Sequence, residues 1–186
     1  MDFWEQIKKS GEIMSIFEEG GVYRQKLIKT RKITVDERVR FQCSHLGCGS
    51  YGKPMCPPNL PSIDEFKRFL AGYSFGIIVQ LAKDIPDTTP ADEAKEIYND
   101  LAVDLHRLIL KGERKAFSEG FPFAGGFIGG ACKLCKACKT PCINKDDARP
   151  SMEGMGIDVL ETCRQFGLDV TFDKSRIIWT GLLLLD

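Results

Sequence analysis

Apolar positions first recur at near-helical steps over residues 3 to 19, as Phe3, Ile7, Ile13, Ile16 and Phe17, which predicts a short helix interrupted near Gly11. The stretch VYRQKLIKTRKITVDERVRFQC then predicts extended segments at 24–29 and 33–41, the second resting on the β-formers Val35, Val39 and Phe41. Ser62 and Glu65 have the spacing of a capping box, so a helix is expected from about 63 to 71, ending near Gly72. Phe75 to Leu81 is an unbroken apolar run of strand length, as expected inside a sheet. Thr89-Pro90-Ala91-Asp92 marks another helix start, with Thr89 as cap and Pro90 at the first helical position. Ala94, Ile97, Leu101, Leu105, Leu108 and Ile109 follow in one apolar stripe, predicting a helix of about twenty residues that lies on a sheet.

GFPFAGGFIGGACKLC begins as a strand and dissolves into glycines, whose missing Cβ atoms let a backbone pass close to a bulky neighbour. Ser151 is expected to cap a further helix with Met152, Met155, Val159, Cys163 and Phe166 on one face. LDVTF, a DKS turn and RIIWTGLLLL then predict a hairpin, or two strands completing the sheet. Helices alternating with a buried strand define the expected class: α/β, with a mixed central sheet flanked by helices and a cysteine-rich metal-binding lobe. One domain over residues 1–186 is expected, with ligand loops at 43–58 and 129–145.

Composition sharpens the picture in two places. Lys+Arg and Asp+Glu are balanced at 26 each, so no global charge draws the chain to nucleic acid or an anionic membrane. No apolar run approaches the ~18 residues of a membrane span. The start, MDFWEQIKKSGE, lacks the basic-then-apolar pattern of a signal peptide, and a cytoplasmic protein is expected. A reducing cytosol disfavours disulfides. The eight cysteines, at 43, 48, 56, 132, 135, 138, 142 and 163, therefore read first as metal ligands.

Cys132, Cys135, Cys138 and Cys142, in CKLCKACKTPC, have the x2, x2, x3 spacing of the bacterial ferredoxin run, whose thiolates hold corners of a [4Fe–4S] cube. A tetrahedral zinc site more often takes two Cys pairs separated by a longer loop, so zinc is the alternative. Ferredoxin runs place proline after the fourth cysteine; here Pro141 precedes Cys142, whereas Cys56 is followed by Pro57-Pro58. Two ligand schemes follow. Cys56 completes a cube held by 132, 135 and 138, with Cys142 joining Cys43 and Cys48 at another centre. Or one cube takes 132, 135, 138 and 142, leaving Cys43, Cys48 and Cys56 as a three-thiolate site with an open iron. Cys163, among apolar helix positions, reads as a small buried hydrophobe rather than a ligand. Lys133, Lys136 and Lys139 each follow a cysteine, where they would offset cluster charge, meet an acidic partner, or simply be solvated. His45 and His106 have no spacing that favours a catalytic triad.

Three blocks together, CSHLGCGSYGKPMCPP at 43–58, GGFIGGACKLCKACKTPC at 125–142 and RPSMEGMGIDV at 149–159, resemble a prokaryotic family called predicted metal-binding proteins, domain of unknown function 2284. The resemblance covers roughly residues 20 to 180 and implies metal binding through Cys43, Cys48, Cys56, Cys132, Cys135, Cys138 and Cys142, with no settled reaction. It further places Arg149-Pro150-Ser151 as a helix start facing the metal loop. The expected function is a [4Fe–4S] protein, with one or two clusters, in redox or electron transfer with a partner protein. A cluster-dependent enzyme with an open iron and a zinc-stabilised interaction module are the alternatives.

Overall fold

A computed structural model describes residues 2–170 and 175–186. Five helices, α1 (Phe3–Glu19), α2 (Glu37–His45), α3 (Ile63–Leu70), α4 (Ala91–Ser118) and α5 (Val159–Gln165), surround four strands, β1 (Arg24–Lys29), β2 (Phe75–Asp84), β3 (Gly125–Ile128) and β4 (Arg176–Leu185). The strand order is β1-β2-β4-β3, and every neighbouring pair is antiparallel. The mixed sheet expected from the alternation of helices and strands needs correction. β2, α4 and β3 do form a crossover unit, with β2 and β3 running the same way. The last strand, β4, inserts between them and opposes both, giving a split β-α-β arrangement with no parallel neighbours.

Burial follows strand alternation. Phe75, Ile77, Val79 and Leu81 of β2 and Leu183 and Leu185 of β4 face Ile13 and Phe17 of α1 and Leu105, Leu108 and Ile109 of α4. Ile78, Leu182 and Leu184 point the other way, against Phe66 and Leu70 of α3, Met152, Met155, Ile157 and Cys163. The two halves of the core therefore lie on opposite faces of one sheet. Burying each such aliphatic or aromatic side chain contributes about 1.5–3 kcal/mol relative to exposure.

The capping box at Ser62 and Glu65 starts α3 as expected, and β1 and β2 fall where the pattern places them. Several other expectations need correction. Helix α1 is continuous through Gly11, because the burial of Ile13 and Phe17 outweighs the ~1 kcal/mol a mid-helix glycine costs. Of residues 33–41 only the first part is extended: Ile33 and Asp36 have extended backbone and Val35 bridges to Ile157, but Asp36 accepts from Arg38 N and caps α2, so 37–41 are helical. Helix α4 starts after Pro90 with no side-chain cap at its N-terminus and runs 28 residues, straight through Gly112. The glycines of GGFI are themselves β3. The helix expected at Ser151 is broken by Gly156 at φ +84 into a 3-10 turn (Glu153–Met155) and α5, although Met152, Met155 and Cys163 do share one buried cluster. Of the hairpin expected from LDVTF through DKS, residues 168–170 are in no strand and 171–174 lie outside those described; its second strand is β4.

Gly112 shows why a glycine survives mid-helix. A Cβ there would stand 2.4 Å from Phe17 Cζ and 2.6 Å from its Cε1. Helix propensity alone says Gly112→Ala stabilises by about 1 kcal/mol. Overpacking against an immobile buried ring costs about 1–3 kcal/mol and should win. Urea unfolding is expected to show a net loss of stability, largely recovered when Phe17→Leu is added; a stabilised Gly112→Ala would show that α1 does not pack as described.

Candidate metal centre

The upstream cysteines arrive on a helix end followed by tight turns. Cys43 is on the last turn of α2, Cys48 follows the helix, and Cys56 is buried in a turn in which its N–H donates to Lys53 O. Gly52 N donates to Pro57 O at 2.7 Å, and Asn59 Nδ2 donates to the carbonyls of Gly52 and Lys53, so the Cys56 turn is closed from both sides. Arg40 on α2 donates to the carbonyls of Leu60 and Pro61. That fixes the helix carrying Cys43 to the far end of the loop carrying Cys56. Pro57-Pro58 and Thr140-Pro141 are both cis.

The downstream loop is anchored at both ends by α4. Glu113 accepts from Gly126 N at 2.6 Å, before the loop, and from Arg149 Nε at 2.7 Å, after it. His106 Nε2 lies 2.9 Å from Asp147 O and donates to it, since a carbonyl only accepts. Arg114 pairs with Asp147 at 3.0 Å. Three side chains of one helix thus hold the two ends of the cysteine loop. None of them is assigned this role by the sequence; the i, i+7, i+8 spacing of His106, Glu113 and Arg114 on one helix face was the available signal.

Between the two cysteine loops lies the segment 150–157. Ile128 N donates to Pro150 O and Met152 N to Ile128 O, tying it to the end of β3. Glu153 accepts from Gly130 N at 3.0 Å, two residues before Cys132. A Cβ on Gly154 would stand 2.8 Å from Leu60 and 3.2 Å from Pro57, so the upstream loop rests directly on this turn. The Arg149-Pro150-Ser151 step is therefore no open helix start. Ser151 Oγ accepts from Gly154 N, and the turn is a three-residue 3-10 segment spent on holding loops. The cysteine segments are in this way bound into the sheet and α4, and do not form the separate lobe expected from sequence.

The result is one cavity lined by Cys56, Cys132, Cys135, Cys138 and Cys142, together with Lys53, Pro54, Met55, Asn144 and Ala148. Asn144 Nδ2 donates to Cys135 Sγ at 3.1 Å. Cys43 and Cys48 are absent from this lining but adjoin it through Cys56, whose acidity responds to both of them and to Cys132. Burial pushes the Cys56 thiol up to about 11, reinforced by those neighbouring thiols. Burial likewise raises Cys132, and it raises Cys43 with help from the charges of Cys48 and Glu153. The free thiolate is disfavoured at these three positions. A bound cation would reverse that balance, because coordination deprotonates a thiol.

The surroundings divide by charge. Glu153 is raised by burial and acts on Cys43, and among the described residues no cationic side chain pairs with it; sequence reading did not single it out. Lys133 is lowered by burial and by Lys53, and stands 5.4 Å from the centre of the Tyr98 ring. His45 is exposed, stacked on Phe41 at 4.3 Å and bonded to Ser44. Cys163 sits apart in the core, its thiol pushed up by burial to about 12. Among the described residues no three His, Cys, Asp or Glu side chains are gathered around a single point as they would be about one metal ion. The donors that do converge are thiols spread around a cavity, and that set fits a soft-metal or iron–sulfur group.

An antiparallel α/β fold with a thiol-lined cavity at the edge of its sheet defines a cysteine-rich class of protein. The profile of the family described as predicted metal-binding protein (DUF2284) matches residues 26–185, and the chain belongs to that family. No curated protein and no solved structure matches it. No helix among the described residues is long and apolar enough to cross a membrane.

Two measurements test the anchoring. Glu113→Gln keeps the shape of the side chain and leaves Arg149 without its counter-charge; both partners are mostly covered, with side chains 12% and 22% exposed. The expected cost is about 2–3 kcal/mol, with faster exchange of the Gly126 amide. Unchanged urea unfolding and Gly126 protection would overturn the bracket. Burial also lowers the pKa of His106 from its ordinary 6.5. The unfolded chain takes up that proton first, so stability should fall as pH drops below 6.5 toward the lowered folded value. His106→Gln should flatten that part of the stability–pH curve, as followed by urea unfolding at successive pH values.

Proposed function

We propose that this protein holds a [4Fe–4S] cluster in the cavity lined by Cys56, Cys132, Cys135, Cys138 and Cys142, and serves in one-electron transfer. The observation that carries the reading is the convergence of Cys56, from the upstream loop, with all four thiols of the CxxCxxCxxxC run. That run is the bacterial ferredoxin spacing, and such a centre takes up and releases single electrons. Cys56-Pro57 supplies the Cys-Pro step that the run itself lacks.

The chain's own residues have definable parts in this. Cys132, Cys135 and Cys138 are the primary ligands, with Cys56 and Cys142 competing for the remaining corner. Asn144 donates to Cys135 Sγ, and hydrogen bonds to cluster sulfurs adjust reduction potential. Lys53 in the wall and half-buried Lys133 next to Cys132 offset thiolate charge. Zinc held by four cysteines would draw its thiolates in to bonds of about 2.3 Å around one point. What favours iron–sulfur over zinc is the compact x2, x2, x3 spacing of the run, where zinc more often takes two pairs separated by a longer loop. A second reading is favoured by number: seven thiols exceed the four that close one cube, so Cys43 and Cys48 have room to join a second centre, one with an iron open to substrate. The whole chain is proposed to act as one metal-binding domain.

Anaerobic preparation should yield iron and acid-labile sulfide in equal amounts, about four of each per cluster, with a visible absorbance that bleaches on reduction. Cys135→Ser should lose most of that iron and lower the unfolding midpoint, because metal-binding energy is folding energy. Cys163→Ser should keep the full metal content. Stoichiometric zinc without sulfide would overturn the reading.

A further inference from the structure

Acidic residues are spread through the neutral chain but missing from both cysteine loops. From Phe41 to Ile63 the only ionised side chain is Lys53, and from Ala131 to Lys145 there are four lysines and no acid. The lysines of this zone differ in burial. Lys53 and Lys133 are half-buried, Lys53 bonded to Ser50 and Lys133 over Tyr98. Lys136, Lys139 and Lys145 are exposed, and among the described residues none of the three has a carboxylate within ion-pair distance. The nearest acids along the chain follow Lys145: Asp147 is taken by Arg114, and Asp146 is exposed.

Compensation of thiolate charge accounts for Lys53, which is in the wall, and for half-buried Lys133 beside Cys132. Lys136, Lys139 and Lys145 are exposed, so whatever they add to that compensation they also present to the outside. Exposed charge of one sign acts outward, on approaching partners. Two further features lie among these lysines. Cys138, between Lys136 and Lys139, is itself exposed, so one corner of the thiol-lined site reaches the surface. Ile143, two residues before Lys145, is 63% exposed and supplies an apolar contact on the same lysine-bearing loop. An apolar contact with exposed charges on the same loop, over a site near the surface, is the anatomy of a transient interface formed by steering.

We propose that Lys136, Lys139, Lys145 and Ile143 form the docking surface for an acidic one-electron carrier protein, which approaches Cys138. This rests on the electron-transfer reading above. In the encounter one electron passes between the carrier's reduced centre and the site beneath Cys138, the carrier is oxidised, and no bond is made or broken.

The test uses the anaerobic holoprotein with a strongly acidic two-cluster ferredoxin as probe. Titration followed by NMR line broadening or anisotropy should show affinity falling at least tenfold between about 20 and 200 mM salt, as screening predicts. The triple variant Lys136→Glu, Lys139→Glu, Lys145→Glu should lose at least tenfold in affinity at low salt while keeping its iron and sulfide. Lys8→Glu, at an exposed position on α1, changes the net charge equally per residue and should bind as the parent does. Carbodiimide cross-links should map to Lys136, Lys139 or Lys145. The single Lys136→Glu, expected to weaken binding about threefold, serves if the triple variant misfolds. Affinity indifferent to salt, to these variants, or equally sensitive at Lys8 overturns the proposal. So does tighter binding of a single-stranded RNA oligonucleotide than of the ferredoxin. A parent that lacks iron yet still docks the ferredoxin through these lysines upholds the surface and overturns the cluster reading, so the two failures remain distinct.

Discussion

The Glu113 carboxylate is the contact on which the rest of the site depends. It accepts from the backbone of β3 before the cysteine loop and from Arg149 after it. A carboxylate with a guanidinium partner and a backbone N–H is fully satisfied, so it can be mostly buried without the penalty of an isolated charge. Because α4 is long and lies on the sheet, its position is set by the core. The loop inherits that position through one side chain, with His106 and Arg114 holding Asp147 beside it. A loop with little regular structure is thereby given fixed ends.

The second constraint is close approach. β3 passes so near α4 that a Cβ on Gly126 would be 2.5 Å from Ile109, and Gly154 leaves equally little room against Leu60. These two glycines bring backbone against side chains that larger residues would hold apart. The 150–157 segment is bonded to Ile128 at the end of β3 on one side and, at Gly154, touches the Cys56 loop on the other. Cysteines about eighty residues apart then share a cavity whose walls come from the core's own periphery. Cys56 and Cys132 are covered enough to resist ionisation alone, and coordination of a cation would deprotonate them. Charge is arranged to match, with half-buried Lys53 in the wall and exposed lysines outside it.

The sequence by itself determined the local elements and the candidate ligands. Capping at Ser62–Glu65, the apolar run of β2 and the stripe of α4 are consequences of chain chemistry over a few residues, which is why they could be read directly. The CxxCxxCxxxC spacing and the Cys-Pro step at 56 were legible for the same reason, and the three blocks that resembled a metal-binding family belong to it. The tertiary structure decided what depends on partners distant in the chain. The direction and place of β4 set the sheet antiparallel. Long-range packing kept α1 and α4 whole through Gly11 and Gly112, and Asp36 turned residues 37–45 into helix where the β-formers pointed to strand. The pairing of Glu113 with Gly126 and Arg149, the contact of Glu153 with Gly130, and the meeting of Cys56 with the downstream thiols all join residues from 13 to 86 positions apart. No local pattern encodes such contacts, because they exist only once a shared core has fixed both partners in space.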